Sequence, residues 1–364
     1  MVMASCQTAC TTAGRCAPET PLTILLWFVL AGVSITAMRF FVILFLAACL
    51  LASCNIAHET PANDVASSAS VIKTTRYDVT QSISLVNEGP EQPEKHNLWV
   101  ALIGDQPPYQ QLLSRDIQPA DYLLVNDEFG NQYAEFDLID MAPGAEEQIT
   151  IHYQVQVNEL AYDLGGCRGE LLKDFTAPEL HIESQNPQIV ALSEALSAAT
   201  DTVCQQARAF YDYIGQHLVY TYNGNDWGAQ AALGPMGADC TEYSSLLIAL
   251  SRAQGIPARY VEGLLYLGES EPVEARQEHA WAEVYFPGNG WAPVDPTLGR
   301  TPLTSATHFA HYTPNHIIVT KGRSPSTLRG ASYWSHLYWP GDNTRIHVRE
   351  AAWTIVPASA GEES

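Results

Sequence analysis

Cys240, His279 and Asp295 follow one another in that order along a chain of 364 residues, each inside a short segment with strong turn, helix or strand signals. Cys240 stands in Gly237-Ala238-Asp239-Cys240-Thr241-Glu242-Tyr243. Directly behind it, Tyr243, Leu246, Leu247 and Leu250 recur at helical spacing and predict a helix that ends at Gly255, with Pro257 beyond it. A thiol at the start of a helix faces unpaired backbone N–H groups and the positive end of the dipole, which favour the thiolate, the attacking form of sulfur. The N–H of Cys240 is then a natural donor to the oxyanion such an attack creates, and Gly237 is expected to let the main chain approach a substrate closely. Thiol, imidazole and carboxylate together suit nucleophilic acyl chemistry.

That chemistry places a demand on the strands carrying the other two side chains. His279 begins His279-Ala280-Trp281-Ala282-Glu283-Val284-Tyr285, and Asp295 lies in Gly290-Trp291-Ala292-Pro293-Val294-Asp295-Pro296-Thr297, on either side of the turn Pro287-Gly288-Asn289-Gly290. Pairing Phe286 with Trp291 would set Asp295 opposite Ala282 and on the other face from His279. A register that sets Trp281 opposite Asp295 puts both side chains on one face, with Cα atoms about 7 to 8 Å apart. A bulge or a three-residue loop is therefore expected, and the two glycines suit it.

These segments, with Arg252-Ala253-Gln254-Gly255-Ile256-Pro257-Ala258-Arg259 between them, resemble the transglutaminase-like superfamily over roughly residues 205–325. The resemblance implies a papain-like fold with Cys240 as nucleophile, His279 as its base and Asp295 as the orienter of the imidazole. It also implies an aromatic oxyanion donor ahead of the cysteine, for which Tyr222 leads Trp227, although both also suit a core. Glu283 is the alternative orienter. Arg252 and Arg259 read as structural, and Trp281 and Trp291 as walls of the site or core. The activity implied is attack on amide or peptide carbonyls, with hydrolysis expected over crosslinking and with protein or peptide, cell-wall peptide included, as substrate. No cofactor is expected, and without an EF-hand loop the calcium dependence of animal members has no basis here. The alternative is a non-catalytic binding or scaffold module of the cell envelope on the same fold.

The elements that must position these residues fall into two groups. From Arg76 to Val157 apolar residues alternate with polar ones (Tyr77, Val79, Ile83, Leu85; Ile149, Ile151, Tyr153, Val155, Val157), with further strand patterns at Leu98 to Ile103, Tyr122 to Val125 and Tyr133 to Leu138, which reads as a small β-sandwich. After Pro187 the period becomes helical, through Ile189, Val190, Leu192 and Leu196 and then, behind an Asp201 cap, Val203, Ala207, Phe210, Tyr211, Ile214 and Leu218. Strand patterns resume at Arg259 to Leu267, Ala280 to Phe286, Trp291 to Val294, His316 to Thr320 and Ile346 to Val356. The expected fold class is α+β, with a sandwich over 73–165, a transglutaminase-like catalytic domain over 175–325 and C-terminal strands and tail over 326–364.

Lys+Arg 18 against Asp+Glu 40 gives a net charge of -22, which repels phosphate backbones and makes nucleic acid an unfavourable partner. Residues 20–57 are almost continuously apolar. Met38-Arg39-Phe40-Phe41, the run from Val42 to Leu50 and Leu51-Ala52-Ser53-Cys54 have the layout of a signal sequence, and the last four resemble a bacterial lipoprotein box. The expectation is a start at Met38, lipidation of Cys54 and a spacer over 55–72, with the protein tethered to the envelope and facing the periplasm or exterior. An N-terminal membrane-spanning anchor is the alternative. Past Cys54 only Cys167, Cys204 and Cys240 remain, so Cys167 and Cys204 are the candidate disulfide pair of an exported protein if Cys240 is the nucleophile. His308, His311, His316, His336 and His347 match no zinc spacing and read as loop histidines, leaving no metal site expected.

Overall fold

The computed structural model describes residues 69–268, 277–323, 336–340 and 345–358, the side chains of 336–340 excepted. Met38, Cys54, most of the 55–72 spacer and the His336 side chain lie outside the described residues. Among those described, no helix is long and apolar enough to cross a membrane.

Alternating apolar residues build the first layers. Strands β1 (Ala69–Asn87), β2 (His96–Leu102), β3 (Gln110–Gln118), β4 (Leu123–Asn126), β5 (Gln132–Asp137) and β6 (Glu146–Tyr162) come first. Four helices follow: α1 (Pro187–Ser197), α2 (Val203–His217), α3 (Gly228–Ala232) and α4 (Cys240–Ala253). The chain then returns to strands, β7 (Ala258–Leu265), β8 (Glu278–Phe286), β9 (Gly290–Val294), β10 (His311–Tyr312), β11 (His316–Lys321), β12 (His336–Pro340) and β13 (Ile346–Pro357). One sheet runs β10-β6-β1-β13 with β3 also on β6, a second runs β12-β2-β5-β4, and a third runs β11-β7-β8-β9. The first two bury Val79, Ile83, Leu98, Val100, Ile149 and Ile151 in a shared core. The architecture is mixed α+β, a β-sheet domain ahead of a helix-and-sheet core.

Two features depart from expectation for local reasons. The second helix starts one residue later than an Asp201 cap implies, because Thr202 and Gln205 form a reciprocal capping box in which each side chain serves the other's backbone N–H. Strand β3 was not foreseen, since only Gln110 and Ile117 of its nine residues are buried and its alternation is weak. The C-terminal strands return to the first two sheets: β12 pairs with β2, and β13 pairs with β1 from Asn87↔Ile346 to Tyr77↔Pro357.

The third sheet is tied to the sandwich by two side-chain amides that stand in for a strand. Gln110 accepts from Ile318 N (2.7 Å) and donates to Ile318 O (2.8 Å), and Asn131 does the same with Lys321 N and O (both 2.8 Å). Strand β11 is the edge of its sheet, and its unpaired backbone groups are satisfied in this way rather than left open. The frame that holds the chemistry is thereby anchored.

Candidate active site

Cys240 is the first residue of α4 and is partly exposed. Asp239 caps the helix, accepting from Thr241 N (3.1 Å) and Thr241 Oγ1 (2.9 Å), while Glu242 reaches back to Asp239 N (3.0 Å). Glu242 is fully buried because it does more than cap: it also takes the Trp227 N–H (2.8 Å) and the Asn223 side-chain amide (3.1 Å). One carboxylate thus ties the preceding loop to the helix start and fixes where Cys240 sits. Gly237 has φ +82, and a Cβ on it would stand 2.9 Å from Thr221 Cβ. The glycine is required by a left-handed turn packed on Thr221.

The β8–β9 hairpin has the register the chemistry requires. Phe286 pairs with Gly290 and Ala282 with Val294, leaving Pro287-Gly288-Asn289 as a three-residue loop and setting Asp295 opposite Trp281. His279 and Asp295 then share a face, and His279 Nε2 lies 2.8 Å from Asp295 Oδ2. The other ring nitrogen, Nδ1, is not used by Asp295, and Cys240 is near enough for its charge to favour the imidazolium. Ser244, one turn into α4, donates to Ala280 O (3.1 Å), which holds the head of the helix against the strand carrying His279.

Burial by itself would depress the His279 imidazolium. The charge and hydrogen bond of Asp295, with a further contribution from Cys240, outweigh it and push His279 up to about 10. Burial would likewise raise Asp295, yet the His279 charge and hydrogen bond, aided by His316, hold it well below the usual carboxylate range. Its Oδ1 accepts from Thr297 N and Leu298 N (both 2.9 Å). Both side chains are buried, and each favours the charged form of the other.

His316 is the residue the sequence hid. It opens β11, where the strand pattern from His316 to Thr320 is expected, but the sequence gives it no part in the site; its Nε2 lies 3.3 Å from the same Asp295 Oδ2. Nothing in local spacing links it to Asp295. The donor atoms of His279, Asp295 and His316 all lie within 4.8 Å of one another, the set with metal-like spacing among the described residues. Hydrogen bonds to one carboxylate oxygen account for that convergence, and an Nε2 that donates to Asp295 offers a proton rather than a lone pair. His311 bonds Glu159 (3.0 Å) and His308 bonds Thr304 O (3.0 Å).

The remaining candidates divide by what they touch. The Tyr222 hydroxyl lies against Gly224, and the side chain is 48% exposed. Tyr220 instead has the hydroxyl that feels Cys240: burial first, then the charges of Cys240 and Asp239, push it up to about 12. Its backbone bridges Ala238, two residues before Cys240, and Arg300 covers its ring at 5.1 Å, which makes Tyr220 a further aromatic candidate beside Tyr222. Glu283 is not an orienter; it binds Arg259 (2.5 Å) and Lys321 (3.1 Å). Trp291 lies under Arg259 at 4.2 Å, and Trp281 is buried against His279 and His316. Arg252 is structural, bonding Ala258 O, Ala177 O and Glu179. Cys167 and Cys204 are joined in a disulfide with Cα atoms 6.0 Å apart.

Residues 190–296 match the model of the transglutaminase-like superfamily, so the chain carries a domain of that superfamily. The uncharacterized protein YebA of Bacillus subtilis (strain 168) is 27% identical over 175 residues, 41% of this chain and 24% of that protein. A protein-glutamine gamma-glutamyltransferase of Pseudomonas aeruginosa is 39% identical over 69 residues, 17% of this chain and 10% of that protein. The chain spans only a quarter or less of these two relatives. Among solved structures, a Cytophaga hutchinsonii protein provisionally named a cysteine protease shares the fold, with a TM-score of 0.57 at 14% identity over 81% of this chain and 94% of that one.

Proposed function

We propose that this protein is a thiol enzyme that attacks amide or peptide carbonyls through Cys240, His279 and Asp295. The observation that carries the reading is the 2.8 Å bond from His279 Nε2 to Asp295, with Cys240 at the helix start near enough to act on the ring. Cys240 Sγ bonds to the carbonyl carbon, the C–N bond breaks, and the His279 proton passes to the leaving nitrogen. Water then attacks the thioester, His279 takes its proton, and the acid and free thiolate are released. The Cys240 N–H and the Tyr220 hydroxyl are the donors offered to the oxyanion. Hydrolysis is preferred over transfer to an amine because water is always at hand.

Protein or peptide is the substrate class that suits the surroundings. Val219, Tyr220, Tyr222, Trp227 and Met236 are exposed in the loop that leads to Cys240, an apolar approach suited to side chains of a polypeptide. The names of the Pseudomonas aeruginosa and Cytophaga hutchinsonii proteins point to the same class. An exported, lipid-anchored location draws support from the lipoprotein-type box ending at Cys54 and from the Cys167–Cys204 disulfide, a bond that persists in oxidising compartments.

The test is a burst assay with p-nitrophenyl acetate. A stoichiometric burst with an acetyl group on the Cys240 peptide is expected, and Cys240→Ala should lose both. Turnover that persists without added amine supports hydrolysis; turnover that needs a primary amine reverses that preference. A burst that survives in Cys240→Ala would remove the thiol from the mechanism.

A further inference from the structure

We infer that His316 is a second histidine of this site, a positioning residue that holds the Asp295 carboxylate in line with His279; the inference rests on the thiol-enzyme reading above. Asp295 is held at both oxygens: two backbone N–H groups take Oδ1, and two imidazole Nε2 atoms meet at Oδ2, at 2.8 and 3.3 Å. The backbone donors pin one oxygen, but only the two rings define where the other points. Removing His316 leaves His279 as the sole partner of Oδ2, so the orienter would depend for its own orientation on the group it is meant to orient.

The setting of His316 fits this task. The side chain is 3% exposed, enclosed by Trp281 at 5.0 Å in an edge-on contact, by Tyr312 at 5.5 Å and by His308 at 6.4 Å. A buried imidazole is tolerated only with its nitrogens satisfied, and here one meets the carboxylate and the other lies 2.7 Å from Thr313 Oγ1. Burial, with the His279 and His308 charges, disfavours the His316 cation more than Asp295 favours it. A carboxylate only accepts, so the proton of the neutral ring sits on Nε2, toward Asp295, and Nδ1 faces the Thr313 hydroxyl, which also lies 2.6 Å from Asn315 Oδ1. A neutral donor is what the site needs, since His279 already balances the one carboxylate charge. The titratable groups facing this pair are His279, His308, Tyr312 and, from α2, Tyr211. Strand β11, which begins with His316, is itself fixed by Gln110 and Asn131, so the donor is anchored to the frame.

The test is the pH dependence of iodoacetamide alkylation at the Cys240 peptide of the full chain, read by mass spectrometry for wild type, His316→Leu, His316→Gln and Thr313→Val. Loss of the donor should weaken the imidazolium partner of the thiolate and move the acid-side midpoint up by about one pH unit, about tenfold slower alkylation near pH 6 for His316→Leu. His316→Gln keeps an N–H donor and should return the rate to within about twofold of wild type, with Thr313→Val in between. A His316→Leu profile that superimposes on wild type overturns the inference, as do equal slowing of the Leu and Gln variants at every pH with an unmoved midpoint. If His316→Leu does not fold, an unmoved midpoint in Thr313→Val overturns it. An ordinary thiol profile in the wild type, indifferent to His279→Ala, would instead sink the enzyme reading beneath it.

Discussion

Asp295→Ala should slow alkylation of Cys240 near pH 6 by between about two and three orders of magnitude, the ratio of a full thiolate to the fraction that a thiol of pKa about 8.5 ionises there. The reason lies in the balance at His279. Burial opposes its charge, and the Asp295 carboxylate is the main opposing influence that brings it up to about 10. Without the carboxylate the burial penalty prevails, the ring becomes neutral at working pH, and the cation beside Cys240 disappears. Asp295→Asn separates charge from shape: the amide oxygen can still accept from His279 and hold the ring, so its loss should be smaller, about tenfold. Alkylation rates with thermal unfolding as a control for folding would decide it, and equal, near-wild-type rates in both variants would contradict the account.

The second large effect concerns stability in acid. Glu283 is 1% exposed between Arg259 and Lys321, and although burial opposes its charge, these cations lower its pKa from 4.5 to about 2. A carboxylate depressed in the folded state contributes stability that is fully present above its unfolded value and is lost as pH falls through the folded one. The window is therefore about pH 4.5 down to about 2, and 2.5 units correspond to about 3 kcal/mol. Glu283→Gln should cost about 3 to 5 kcal/mol at neutral pH, because the buried Lys321 and the partly covered Arg259 lose their anion, and that cost should shrink toward zero near pH 2. Asp295 titrates on the same side, so the wild-type-minus-variant difference is the quantity to follow by chemical denaturation. Glu262 acts in the other direction, pushed up to about 8 by burial, and its stability is lost as pH rises from 4.5 to 8. A difference that stays constant across the acid window would show that Glu283 carries no such linkage.

What could be read from the residues was whatever depends on near neighbours. The helix start at Cys240 follows from a capping box within four residues, and the hairpin register follows from requiring His279 and Asp295 on one face across a glycine-bearing turn. What escaped depends on partners far along the chain. His316 meets Asp295 across 21 residues by way of a strand from another part of the sheet, and its own neighbours carry no trace of that meeting. Tyr220 and Tyr222 are two residues apart in one loop, and it is the bridge to Ala238 that ties Tyr220 to the segment carrying Cys240. The return of β13 to β1 likewise joins residues whose patterns are ordinary strands with nothing to name their partner.

The central claim is that His279 and Cys240 form a charged pair, and the most direct measurement is the rate of Cys240 alkylation against pH in wild type and His279→Ala. Fast alkylation persisting well below the ordinary thiol pKa of about 8.5, and lost when His279 is removed, is the predicted result. A rate that rises only near that ordinary value and is the same in both proteins would contradict it.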